Sequence, residues 1–182
     1  TANTLSGGNG SQTLGGSSVN DTIYGGNHDD RLYGNGGDDR LYGQNHDDRL
    51  YGGTGNDWLE GGRHQDDLFG EAGDDVLLGG HHDDDLQGGE GDDWLEGGHH
   101  EDVLQGDAGD DVLLGGHHED SLRGGSGDDW LEGGNHADIL EGNDGNDVLW
   151  GGAGNGDQMF GGAGDDFFLF REGDGEDFAN GG

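Results

Sequence analysis

The chain has 182 residues, of which 47 are Gly and none is Pro or Cys, and only 26% of it is apolar. Its 42 acidic residues face six basic ones, all Arg, for a formal net charge of −36; by composition alone this is a disordered polyanion with too little apolar surface to offset chain entropy. Such a charge excludes nucleic acid and an anionic membrane surface as partners, the lack of Cys excludes a disulfide framework and a thiolate zinc site, and no apolar run is long enough for a membrane-spanning helix.

No basic-then-apolar export leader is visible in the opening residues. From Gly7 the chain divides into units of nine, G-x-x-[G/H]-x-D-x-L-x, and 16 consecutive units run without a gap to Trp150. Position eight is Leu or Ile in every one, from Leu14 and Ile23 to Leu140 and Leu149. Position six is Asp except in the first unit, where Gln12 stands. That exception, with Val19 at position four of the next unit, marks residues 1–24 as an N-terminal cap coil. Residues 25–150 are regular repeats. From 151 to 182 the pattern loosens: one extra residue precedes Asp157, the next unit supplies Asp166 and Phe168, and Phe167, Phe168 and Phe170 are predicted to plug the open core. The whole, 1–182, reads as one domain.

Within a unit, the first six positions carry turn chemistry, since Gly, Asn and Asp tolerate tight backbone conformations. Positions seven to nine alternate, which predicts a very short strand with the apolar side chain inward. Two units make an 18-residue coil, and coils stacked ~4.8 Å apart form two facing parallel sheets. The predicted fold is all-β, a two-sheet β-solenoid of about nine coils.

The units Gly88–Glu96 (GGEGDDWLE) and Gly124–Glu132 (GGSGDDWLE) carry the pattern most fully. They resemble the RTX (repeats-in-toxin) family of hemolysin-type calcium-binding nonapeptides, G-G-x-G-x-D-x-U-x with U a large apolar residue. The resemblance covers about residues 7–170, and Phe167–Phe178 (FFLFREGDGEDF) is similar to the segment that commonly follows such repeats. It implies a right-handed parallel β-roll with calcium in the turns. It also implies a secreted, extracellular or cell-surface protein that leaves the cell unfolded and folds in external calcium. The roll would act as a folding module, or as an accessory to a secreted protease or polysaccharide-modifying enzyme.

The residues argue for calcium independently. One Leu column per sheet is a small core for so much Gly-rich backbone, so metal binding has to supply folding energy. Calcium takes six to eight oxygens from carboxylates and carbonyls, and Gly-rich turns expose carbonyls. The candidate ligands are Asp21, Asp30, Asp39, Asp48, Asp57, Asp66, Asp75, Asp84, Asp93, Asp102, Asp111, Asp120, Asp129, Asp138, Asp147, Asp157 and Asp166. One ion per turn-to-turn gap on both edges gives roughly 14–16 calcium ions, enough to offset most of the net charge. Reading these Asp as ordinary turn formers leaves like charges stacked ~4.8 Å apart without compensation. No helical pattern flanks an EF-hand-like loop, and without Lys there is no phosphate-binding P-loop.

Two longer periods overlie the nonapeptide. Every 18 residues position four is His, at His28, His46, His64, His82, His100, His118 and His136; the intervening units have Gly. One edge therefore carries a His column. Either His tolerates a positive-φ turn there and duplication copied it, or the column, with His81, His99 and His117, is a transition-metal or proton-responsive ladder. Every 36 residues Trp58, Trp94 and Trp130 alternate with Val76, Val112 and Val148, and Leu78, Leu114 and Trp150 share their face. This outward strip is either lateral packing or a surface for self-association or domain docking through Trp58, Trp94, Trp130 and Trp150. Carboxylates are periodic and not uniquely paired, so no catalytic constellation is read and the chain is not expected to be an enzyme. The alternative to a folding module is a structural or adhesive element, such as a filament subunit.

Overall fold

The alternation of inward and outward side chains extends further than positions seven to nine. A computed structural model describes residues 2–171 and 174–182, leaving Glu172 and Gly173 of the Phe167–Phe178 segment outside the described residues. In the regular repeats each strand takes positions seven to nine of one unit and the first three of the next, as in β11 (Trp94–His99) and β12 (Val103–Ala108). Asp at six, Leu at eight and Gly at the following position one all face inward, a D-x-L-x-G alternation with the period of two that a strand imposes.

Among the described residues twenty strands, from β1 (Thr4–Ser6) to β20 (Phe178–Asn180), form two ten-stranded parallel sheets, one of odd and one of even strands. Register runs at 18 residues, with Leu86 opposite Leu104, and becomes 19 after the extra residue before Asp157, with Leu140 opposite Met159. Ten coils replace the nine expected because strands outside the nonapeptide frame join both ends: Thr4 pairs Thr22, and Phe178 pairs Gln158. No helix occurs among the described residues.

The core is two files of side chains, one per sheet, from Ile23 and Leu32 to Leu149 and Met159, essentially without exposed surface. Leu5 and Leu14 at one end and Phe168 and Ala179 at the other pack against it partly buried. The expected plug of three Phe reduces to Phe168. Phe167, one residue out of phase with it, points outward and is 59% exposed, and Phe170, past the strand end, is 58% exposed.

Two separate reasons account for the glycines. At position one the obstacle is contact: a Cβ on Gly79 would lie 2.6 Å from Asp84 Oδ2 and 2.8 Å from the carbonyl oxygen of Gly97 in the next coil. At positions two and four φ is positive, as at Gly91 (φ 127°), and in that conformation a Cβ would also meet the neighbouring coil, 2.2 Å from Gly73 O. Where a non-Gly residue fills position two, as Gln44 does at φ 84°, it bears left-handed strain of about 1–2 kcal/mol. Gln44→Gly is therefore expected to raise stability by about 1 kcal/mol, and Gly79→Ala to lower it by about 2 kcal/mol. Denaturant unfolding at saturating calcium measures both, and equal effects of the two substitutions would refute the assignment.

Candidate metal centre

The strand alternation turns each position-six Asp inward at the mouth of the turn, where all from Asp21 to Asp157 are buried and Asp166 is partly so. Its two carboxylate oxygens do different things. Oδ1 accepts the backbone N–H of the Asp one coil earlier, as from Asp30 to Asp48 (2.7 Å) and from Asp84 to Asp102 (2.8 Å). These bonds stitch coil to coil along both edges. Oδ2 has no hydrogen-bond partner in any of 16 residues, Asp30 to Asp166.

Those Oδ2 atoms do not face apolar surroundings. Asp48 Oδ2 and the carbonyl oxygen of Gly61 in the next coil converge over the Cα of Gly43, 2.6 and 2.7 Å from where a Cβ would stand. Asp120 Oδ2 and Gly133 O do the same over Gly115, both at 2.6 Å. An unpartnered carboxylate oxygen beside a carbonyl oxygen is repulsive and costly when buried. A hard cation relieves it, because calcium prefers oxygen ligands of both kinds. No three His, Asp or Glu side chains converge on one point among the described residues. Any ion in these turns therefore draws mostly on backbone carbonyls, with carboxylates contributed one coil at a time. Oδ2 is left unpartnered on both edges, at Asp102 on the His edge as at Asp93 and Asp111 on the Gly edge.

Asp21 departs from the rest: its Oδ2 is taken by the backbone N–H (2.6 Å) and hydroxyl (2.8 Å) of Ser17, and its Oδ1 by Asn3 N–H. Burial pushes its carboxyl up, but these bonds together outweigh burial and hold it below the ordinary value. Gln12 turns its side-chain oxygen onto its own turn, at Gly8 N–H (3.1 Å). Asp177, which lies beyond the nonapeptide frame, continues the column by accepting Asp157 N–H (3.2 Å). The signal was present as Asp177-Phe178-Ala179, with Ala where Leu is usual.

The seven position-four His all sit at φ 73–84°, the left-handed region. Their rings stack at 4.9–5.2 Å, and a second file of His81, His99 and His117 stacks beside them at 4.8–4.9 Å. Near-parallel rings aim their nitrogens side by side and not at a shared point. Burial and then the imidazoles of His117, His81, His100 and His118 hold His99 below its ordinary value.

The RTX calcium-binding nonapeptide repeat model matches the chain in six segments, 6–41, 42–77, 78–113, 100–131, 132–168 and 142–178, which together span residues 6–178. The chain belongs to this family. No curated protein matches it. In this RTX roll the position-six column coincides with the family's repeating Asp, and the glycines that a Cβ would displace coincide with its repeating Gly.

With protein groups alone around them, the position-six carboxyls of the middle coils of the RTX roll lie far above the ordinary value. Burial, then the carboxylates of neighbouring coils, push Asp66 up to about 9, Asp75, Asp84 and Asp120 to about 8, and Asp48 and Asp93 to about 7, against the N–H bonds that oppose the shift. An unfolded Asp titrates near about 3.9, so folding without cations takes up protons above that value. The raised groups favour the roll fully at about pH 4 and lose that contribution as pH rises through about 7–9. In excess chelator, circular dichroism is expected to show β structure at about pH 4 and its loss by about pH 8. A roll that persists unchanged at high pH without calcium would contradict the linkage.

Proposed function

We propose that this chain is a non-catalytic calcium-binding module of a secreted protein, unfolded where calcium is scarce and folded by it outside the cell. The observation that carries this reading is the column of 16 buried, unpartnered Oδ2 atoms, many of them, such as those of Asp48 and Asp120, beside a carbonyl oxygen of the next coil. Asp30 to Asp166 and the turn carbonyls would hold the ions, whose chemistry is charge compensation. Sites built largely from carbonyls fall in the weak class of extracellular calcium modules, with Kd on the order of 10⁻⁴–10⁻³ M. That affinity suits a switch between the two sides of a membrane. Because every position-six side chain belongs to two coils, ion binding and coil stacking are one event, and folding is expected to be steep in calcium.

The test is a calcium titration of the chelated chain, followed by circular dichroism, with the bound metal counted by equilibrium dialysis. A cooperative gain of β structure with roughly 14–16 ions bound is expected. Asp93→Asn, Asp111→Asn and Asp102→Asn sharpen it. Asn keeps the Oδ1 acceptor and replaces the orphan oxygen by an N–H₂ that donates to the facing carbonyl. Each variant is expected to bind about one calcium fewer and to need more calcium to fold, yet to be no less stable than the parent without calcium at about pH 4, where the roll is expected to stand without ions. Equal destabilisation in both conditions would make these Asp structural and not ligands.

A further inference from the structure

The outer face of the odd-stranded sheet carries a period that neither the core nor the turns require. Both repeat at every coil, but on this face Trp58, Val76 and Trp94 are consecutive partners, followed by Val112 and Trp130. Two residues along each strand, on the same face, Glu60, Glu96 and Glu132 fall on the Trp coils and Leu78 and Leu114 on the Val coils. Trp–Glu pairs thus recur at every second coil. Adjacent coils are 4.8–5.2 Å apart by their stacked rings, which makes the two-coil repeat about 10 Å. Trp58 and Trp94 are 38% and 42% exposed, large rings facing water on a chain of net charge −36. Beside the Glu/Leu row, Gly62, Gly80, Gly98 and Gly116 present bare backbone on the floor of a trough along the roll axis, walled by Glu60, Leu78 and Glu96 on one side and His81, His99 and His117 on the other, with the Trp row flanking the Glu wall outside it.

A straight trough of this kind fits a linear polymer whose own repeat equals two coils. An extended β-1,4-linked glycan is such a polymer: successive rings are flipped, so the same ring face recurs at every second sugar, over the length of two coils. The C–H faces of its rings stack on indoles, and its hydroxyl or amino groups donate to carboxylates. An extended peptide repeats its facing side chains every ~6.8 Å and falls out of step with the Trp–Glu pairs. Polyuronates and nucleic acids are repelled by the Glu row and the net charge. We propose that this face binds an extended β-1,4-linked glycan lacking acid groups, with the indoles of Trp58, Trp94 and Trp130 as stacking platforms and Glu60, Glu96 and Glu132 as acceptors.

The test is retention of the calcium-folded chain on cellulose, chitin and chitosan, compared with the Trp58→Ala, Trp94→Ala, Trp130→Ala triple variant. Circular dichroism in calcium establishes that both are folded. Retention of the parent on at least one glycan at moderate salt, with affinity reduced about tenfold or more in the variant, is expected. Retention confined to chitosan, abolished by salt and unchanged in the variant would mean bulk charge attraction and overturn the proposal. A folded roll that binds no glycan would also overturn it while leaving the calcium reading intact. So would self-association abolished by the triple substitution without glycan binding, which would assign the face to a second copy of the chain.

Discussion

A buried carboxylate divided between two duties organises this molecule. One oxygen of each position-six Asp hydrogen-bonds the previous coil's backbone, which fixes the side chain; the other is thereby left facing carbonyl oxygens. The fixing bond is what creates the need for a cation. Were the side chain free to turn to water, as an exposed turn Asp is, the second oxygen would be solvated and no site would exist. Glycine at position one follows from the same constraint, since a side chain there would occupy the space on which the two oxygens converge. Because each carboxylate belongs to one coil and satisfies another, a single coil has no complete site, and stability accrues between neighbours as in other solenoids.

Much of this was legible because the nonapeptide reports it directly. Leu at position eight and Asp at position six gave the two sheets, the 18-residue coil and the inward files, and the His and Trp periods sorted the edges and faces. What escaped was whatever depends on pairing between coils. Ser17 and Val19 set the unit of Asp21 apart from that of Asp30, but that Ser17 satisfies the second oxygen shows only in the folded turn. Asn3 and Asp177 lie outside the frame and still complete the columns at the two ends. The glycines were read as turn formers that leave carbonyls exposed, whereas the contact a side chain at position one would make with the next coil's carbonyl exists only once coils are stacked. The Phe cluster was taken as a unit, although strand alternation separates Phe168 from Phe167.

The two edges solve one stitching problem differently. On the Gly edge a second ladder runs outside the first and in the opposite sense: Asn20 Oδ1 accepts from Asp38 N–H, Asp74 Oδ1 from Asp92, and Asp110 Oδ1 from Asp128. The Gly at position four opens its φ to 98–151° there. On the His edge the Cβ confines position four to 73–84°, and the imidazole stack runs where the Gly edge has only hydrogen. Stacked rings cover the turn and, in places, accept backbone N–H groups, as His46 Nδ1 does from His28 (3.1 Å). The inner carboxylate ladder is common to both edges, which is why the orphan oxygens are too.

Backbone hydrogen bonding between parallel coils also makes the roll a ruler. Any side chain repeated in the sequence is set out at a multiple of the coil spacing, on a face that cannot curl locally without breaking two ladders. Inward, the ruler aligns carboxylates with carbonyls and so commits the interior to cations. Outward, Tyr33, Tyr51 and Phe69 stack at 4.9 Å on successive coils, the spacing at which rings satisfy one another. Trp58, Trp94 and Trp130 are placed at twice that spacing, too far apart to stack on one another and with Val between them, and Trp58 and Trp94 stay 38% and 42% exposed. Rows that touch stabilise the roll, while rows held apart at a fixed interval leave part of their surface unsatisfied, and it is only the latter that a periodic ligand can read.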